Sequence, residues 1–181
     1  MSPVPRRLQV VALVVLAVAG IVVAASRVHV GSSAKNEPLV RRAPDRSAEA
    51  ELVSTPTGVP ELWIAETGKP AIKVGRLEDG EGVKDNFAWS ALGTLLAFET
   101  YDLEGHSPLT TSHVWVVRRD GSGLVEISLP SPNERFSTQL ERWLDDNTVL
   151  VRATLLSGGD VLYTFSYDTK EVRLKSGSPT Q

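Results

Sequence analysis

Aromatic side chains recur along this sequence with a period near fifty residues, a spacing that few folds accommodate. Leu62-Trp63-Ile64, Val114-Trp115-Val116 and Leu162-Tyr163-Thr164 align, with their aromatic positions 52 and 48 residues apart. Each is followed by a turn and a further apolar segment: AIKVGRL, LVEISL and EVRLK. A second series precedes the later two copies. Phe87-Ala88-Trp89-Ser90 leads through Ala91-Leu92-Gly93 into LLAFETY; 54 residues on, Leu140-Glu141-Arg142-Trp143 leads through Asp145-Asp146-Asn147 into TVLVRAT. A repeat of four short strands cannot bury both faces of its own sheet, so copies stack and indoles fill the seams between them.

The strands themselves are legible after Pro60. Glu61–Glu66, Ala71–Leu77, Leu95–Tyr101, His113–Arg118, Leu124–Leu129, Thr148–Leu155, Val161–Tyr167 and Glu171–Lys175 are short runs rich in Val, Leu, Ile and aromatics, bounded by Gly, Pro, Asp or Ser. Thr67-Gly68-Lys69, Arg119-Asp120-Gly121-Ser122-Gly123 and Tyr167-Asp168-Thr169-Lys170 have the chemistry of hairpin turns, in which Asp and Gly tolerate positive φ. No segment carries a helical period long enough for a parallel βαβ sheet, so an all-β, antiparallel fold is expected.

Trp89-Ser90, Gly93, Leu96-Ala97-Phe98 and the hairpin VWVVRRDGSG resemble the TolB-like β-propeller repeat, in which a strand ending in Trp-Ser precedes a Pro-Asp-Gly-type turn and an Ile-Ala-Phe strand. The last copy is looser, with Leu144 in place of the serine. The resemblance covers about Glu61 to Lys175 and implies an incomplete propeller of about two and a half blades: two full blades and the last two strands of one before them. Closed propellers need about four blades. The alternatives are an open stack with protected ends, completion by a second copy or another blade-bearing protein, or curling into a sandwich. Terminal blade faces are expected to be apolar and to require covering.

Residues 1–30 read as an N-terminal signal anchor or signal peptide. No charge occurs between Arg7 and Arg27; a helix over Leu8–Ser26 rises about 28 Å, close to a hydrocarbon core. This apolar run exceeds the roughly 7–15 residues of a cleaved signal, which favours an uncleaved transmembrane helix; cleavage after Ala25 is the alternative. Arg6 and Arg7 bias the N-terminus toward the cytoplasm and the C-terminal domain outward, against which Arg41, Arg42 and Arg46 weigh. Residues 31–60 read as a flexible linker because their prolines oppose a helix, with Ala48–Val53 open between a short helix and a first strand. The propeller-repeat domain is then expected over 61–176.

Composition narrows the chemistry. There is no cysteine, which excludes disulfides, thiolate metal sites and a cysteine nucleophile. Residues 1–58 hold seven Lys/Arg against four acids, and the remainder twelve against eighteen, so the folded part is acidic and no nucleic-acid partner is expected. Asp102, Glu104, His106 and His113 are the one cluster with metal-binding residue types, but their spacing matches no defined site, and a solvated loop is the plainer reading. No G-x-S-x-G elbow exists, Asp145-Asp146 reads as a polar turn, and Arg118-Arg119 as a strand end in water. Gly121-Ser122-Gly123 lacks the helix of a phosphate loop. The indoles of Trp63, Trp89, Trp115 and Trp143 are expected between blades rather than on a carbohydrate platform, Trp63 being the exception if there is one.

No catalytic, cofactor-binding or metal residue is assigned from these patterns. The expected function is a non-catalytic protein-interaction or ligand-binding module, held at the cell membrane by a single span and facing outward, with a protein partner or self-association covering the blade ends. A sensor or regulatory subunit of an envelope complex is the alternative.

Overall fold

The computed structural model describes residues 38–74, 81–102, 112–130 and 136–176. They form three four-stranded antiparallel sheets, each a simple meander in chain order. The first holds β1 (Leu39–Arg42), β2 (Ala48–Ser54), β3 (Pro60–Glu66) and β4 (Ile72–Lys73). The second holds β5 (Glu81–Trp89), β6 (Leu95–Asp102), β7 (Ser112–Arg118) and β8 (Val125–Glu126). The third holds β9 (Phe136–Trp143), β10 (Thr148–Leu155), β11 (Asp160–Ser166) and β12 (Glu171–Ser176). Four-stranded meanders stacked face to face are propeller-like blades.

The linker expected over 31–60 is corrected by this arrangement. Residues 39–54 are the first two strands of a complete first sheet, with Arg42 paired to Glu49 and Ala50 to Ile64. The domain therefore begins well before residue 61, and there are three blades rather than two and a half. The physical reason lies in the β1–β2 turn. Ala43 accepts a bond from the Arg46 amide (2.9 Å), the Asp45 carboxylate accepts one from the Ser47 amide (3.1 Å), and Arg46 sits at φ 60°. In the second sheet Gly93 occupies the same place, at φ 69°, and its amide donates to Ser90 (2.9 Å). Ala43-Pro44-Asp45-Arg46 is thus a blade turn with arginine where glycine is usual. The apolar stretch Leu8–Ser26 lies outside the described residues; among those described, no helix is long and apolar enough to cross a membrane.

The second sheet lies between the other two, and the alternation of its strands shows how. On β7, Val114 and Val116 join Leu140, Val149, Val151, Tyr163 and Phe165 of the third sheet in one core. Val117 faces the other way, into a core with Ala48, Ala50, Leu62 and Ile64 of the first sheet; Phe87, Trp89, Leu96 and Phe98 complete it. Strand β6 is consequently buried on both faces from Leu95 to Thr100, which explains its almost unbroken apolar run.

Indoles bridge the sheets as the repeat predicts. The Trp89 Nε1 on β5 donates to the Arg41 carbonyl on β1 (2.9 Å), and the Trp143 Nε1 on β9 donates to the Ala88 carbonyl on β5 (2.8 Å). Each bond joins the first strand of one sheet to the first strand of the sheet before. Trp115 packs against the core shared with the first sheet and donates to Thr100 Oγ1 (3.0 Å). Trp63 is the exception: its neighbours Leu62 and Ile64 face the core, so it points to the uncovered face and donates to Glu61 (3.2 Å).

That uncovered face is mixed rather than wholly apolar: Trp63 and the exposed Val40 share it with charged side chains. It carries Arg42–Glu49 and Lys73–Glu61 ion pairs, both at 2.7 Å. The far face of the third sheet carries Arg152 between Glu141 (2.7 Å) and Asp160 (3.2 Å), with Arg173–Glu171 beside it. Polar outer faces are how stacked repeats end without a neighbour.

Candidate functional site

The hairpin turns of all three sheets meet at one end of the stack and enclose a groove of about 480 Å³. Its position follows from the meander: β1–β2, β3–β4, β5–β6, β7–β8, β9–β10 and β11–β12 all turn at this end. The turns are laced across the sheets. Arg119, at the end of β7, donates to Asp45 of the first sheet (2.8 Å) and lies 3.7 Å from Glu66. Asp146 of the third sheet accepts from the Leu92 amide of the second. Tyr167, 3 % exposed, donates its hydroxyl to the Gly123 carbonyl (2.7 Å), joining the third sheet to the second.

Aspartates hold the turn conformations. Asp120 accepts from the Ser122 hydroxyl (2.6 Å) and amide (2.9 Å); Asp145 accepts from the amides of Asn147 (2.8 Å) and Thr148 (2.6 Å). Such bonds favour the charged carboxylate, so Asp45, Asp120 and Asp145 are all held below the ordinary aspartate range: Asp45 and Asp120 by Ser47 and Ser122, Asp145 by the Asn147 amide. At the third-sheet side, Arg118, which lines the groove, and Lys170, which lies outside its lining, sit over the Tyr167 ring at 5.8 and 3.3 Å from its centroid. Burial, and then the neighbouring Arg118 charge, lower the Lys170 ammonium below its usual value.

The sequence candidates fall differently. Arg118 and Arg119 both reach the groove, but in separate roles, one over an aromatic ring and one as a bridge between sheets. Asp145 and Asp146 do not act as a carboxylate pair, since each caps a different amide. Asp102 and His113 come together with Glu81 at the opposite end of the second sheet, with donor atoms within 4.8 Å of one another; Glu104 and His106 lie outside the described residues. His113 Nδ1 is also 2.8 Å from Glu126 Oε1. Two carboxylates and an imidazole have the donor chemistry for a divalent ion. Tyr167 and Lys170 went unremarked as binding residues, because in sequence they are only the ends of a hairpin.

A buried polar network ties the second sheet to the third near their first strands. Glu99, 3 % exposed, accepts from Asn86 Nδ2 and the Leu140 amide, both at 2.6 Å, and lies 3.6 Å from Lys84 Nζ. Lys84 also donates to Ser112. A serine beside a lysine has the composition of a nucleophile and its base, but Ser112 is 3 % exposed and its lysine is shared with Glu99.

No family model matches the sequence, and no curated protein does. Solved structures with similar arrangements include AtxE2 isopeptidase without ligand, 16 % identical with a TM-score of 0.46 over 77 % of this chain and 29 % of its own. An oligogalacturonate lyase in complex with manganese is 12 % identical, TM-score 0.34, over 78 % of this chain and 53 % of its own. A candidate TolB from Agrobacterium tumefaciens is 12 % identical, TM-score 0.32, over 75 % and 63 %. The chain spans less than a third of the isopeptidase's length. Scores this low say nothing of activity; the all-β, propeller-like class rests on the sheets themselves.

Proposed function

We propose that this chain is a non-catalytic binding module whose ligand lies in the groove at the turn end of the three sheets. The observation that carries this reading is the division of labour in the groove. Most of its charged groups are committed to holding turns, yet Arg118 and Asp168 line it without a close ion pair among the described residues, Arg118 acting on Asp120 and Asp168 on Lys170 only at longer range. Rigid walls with a few uncommitted polar groups are the anatomy of a recognition site. The burial of Ser112 supports a role without nucleophilic catalysis, and the charged end faces support binding at the groove rather than at the blade ends. The module is held at the membrane by Leu8–Ser26, with Arg6 and Arg7 inside and the sheets outside; the length of the apolar run and the paired arginines support this placement.

Amide chemical shifts recorded while a panel of short synthetic peptides is titrated in test the groove. Perturbations are expected to cluster on Thr94, Arg118, Asn147 and Tyr167. Shifts confined to the Glu81–Asp102–His113 end, or to the face bearing Trp63, overturn the assignment.

A further inference from the structure

The charges of the groove specify its occupant; this inference rests on the groove being the ligand site. Glu66 is engaged by Lys69 (2.7 Å) and by Arg119, and Arg119 by Asp45. Asp120 is engaged by its own turn, and Asp146 by the Leu92 amide. Arg118 and Lys170 differ from these. Among the described residues neither is within ion-pair distance of a carboxylate, Arg118 reaching Asp120 and Lys170 reaching Asp168 only at longer range, and both lie over the same aromatic ring.

Tyr167 gives that ring a fixed position, because it is buried and its hydroxyl is bonded to Gly123. Lys170 is held over it by a backbone at φ 58°, a conformation that non-glycine residues adopt uncommonly. Two like charges on exposed side chains are thereby held within 5.8 Å of one ring centroid. The lowered ammonium of Lys170, caused first by burial and then by Arg118, reflects the same crowding. The Asp168 charge offsets it only in part. An arginine fork beside an ammonium over an aromatic face is a ready receptor for an oxyanion.

We propose that Arg118 and Lys170 seat an oxyanion of the ligand, a carboxylate or a phosphate group, at the Tyr167 side of the groove. The anion adds to the partial neutralisation that Asp120 gives Arg118 and Asp168 gives Lys170. The plainer role for the same contacts is a cation–π clamp on the β11–β12 turn. A clamp changes stability when it is removed, whereas a receptor changes binding.

Inorganic phosphate and acetate, titrated separately into the protein at low salt, serve as probes, followed by the side-chain NMR signals of Lys170 and Tyr167. A saturable shift is expected, together with a rise in the Lys170 pKa on binding. Stronger binding of phosphate identifies a phosphorylated ligand, and stronger binding of acetate a carboxylate. Arg118→Gln and Lys170→Gln should each bind about tenfold more weakly, Arg118→Lys should recover part of the loss, and Asp168→Asn should bind more tightly, all with an unchanged melting temperature. Absence of a saturable shift with either anion, or binding indifferent to Arg118→Gln, overturns the oxyanion seat. If peptide-induced shifts at Thr94 and Asn147 persist in that case, the groove survives as a binding site and only the anion is lost.

Discussion

Trp89 offers a quantitative test of how the sheets are joined. Its indole is 9 % exposed between the first and second sheets and donates to the Arg41 carbonyl at 2.9 Å. Trp89→Ala removes a large buried side chain and opens a cavity, a loss of about 3–5 kcal/mol. Trp89→Phe keeps a ring in the seam but leaves the Arg41 carbonyl without its donor, at about 1–3 kcal/mol. Trp63 sits at the equivalent of Trp115 on a face that no sheet covers, so Trp63→Ala should cost about 1 kcal/mol or less. Urea denaturation reads these directly: with a slope of about 2 kcal/mol per molar, Trp89→Ala shifts the midpoint by roughly 2 M and Trp63→Ala by less than about 0.5 M. A domain stable by roughly 10 kcal/mol survives the first change, so both midpoints are measurable. Equal losses at positions 63 and 89 refute the reasoning, because they imply that the two indoles share one environment.

Further outcomes are expected. Glu99→Ala, which leaves the Leu140 amide and Lys84 without their buried partner, should destabilise by about 3–5 kcal/mol, and Glu99→Gln by about 1–2 kcal/mol, in the same denaturation assay. The turn aspartates Asp45, Asp120 and Asp145 have folded pKa values below their unfolded ones, so their contribution is present above the ordinary aspartate pKa of 3.8 and is lost as pH falls through the folded values. Melting temperature should therefore hold from pH 7 to about 5 and decline below about 4, with a shallower decline in Asp145→Asn. Gly123→Ala places a Cβ 2.3 Å from the Tyr167 hydroxyl at a φ of 64°; a loss of about 1–3 kcal/mol and a changed near-ultraviolet tyrosine signal should accompany it.

The repeat was legible because it is written in large residues. Trp89 and Trp143 mark the ends of first strands, and Val114-Trp115-Val116 alternates visibly across a sheet. The first two strands were obscured for two physical reasons. Their core-facing residues, Ala48 and Ala50, are small, since Phe87 and Phe98 of the next sheet fill much of that seam. Their turn places Arg46 where glycine usually signals positive φ. The period-two alternation Ala48-Glu49-Ala50-Glu51 was nevertheless present, with the charges outward. Charged end faces could not be anticipated while this sheet was counted as half a blade. The groove was illegible for a different reason: Asp45 and Arg119, or Gly123 and Tyr167, meet only after the sheets stack. Nothing local in a Tyr-Asp-Thr-Lys hairpin distinguishes a receptor from a turn.

Amide hydrogen exchange of the full chain, resolved over residues 39–54, bears most directly on the whole arrangement. If three complete sheets stack as described, amides of Ala48–Ser54, hydrogen-bonded between β1 and β3, exchange as slowly as those of β10. Exchange there at the rate of an open tether contradicts the first blade, the Trp89–Arg41 bridge and the groove built against them.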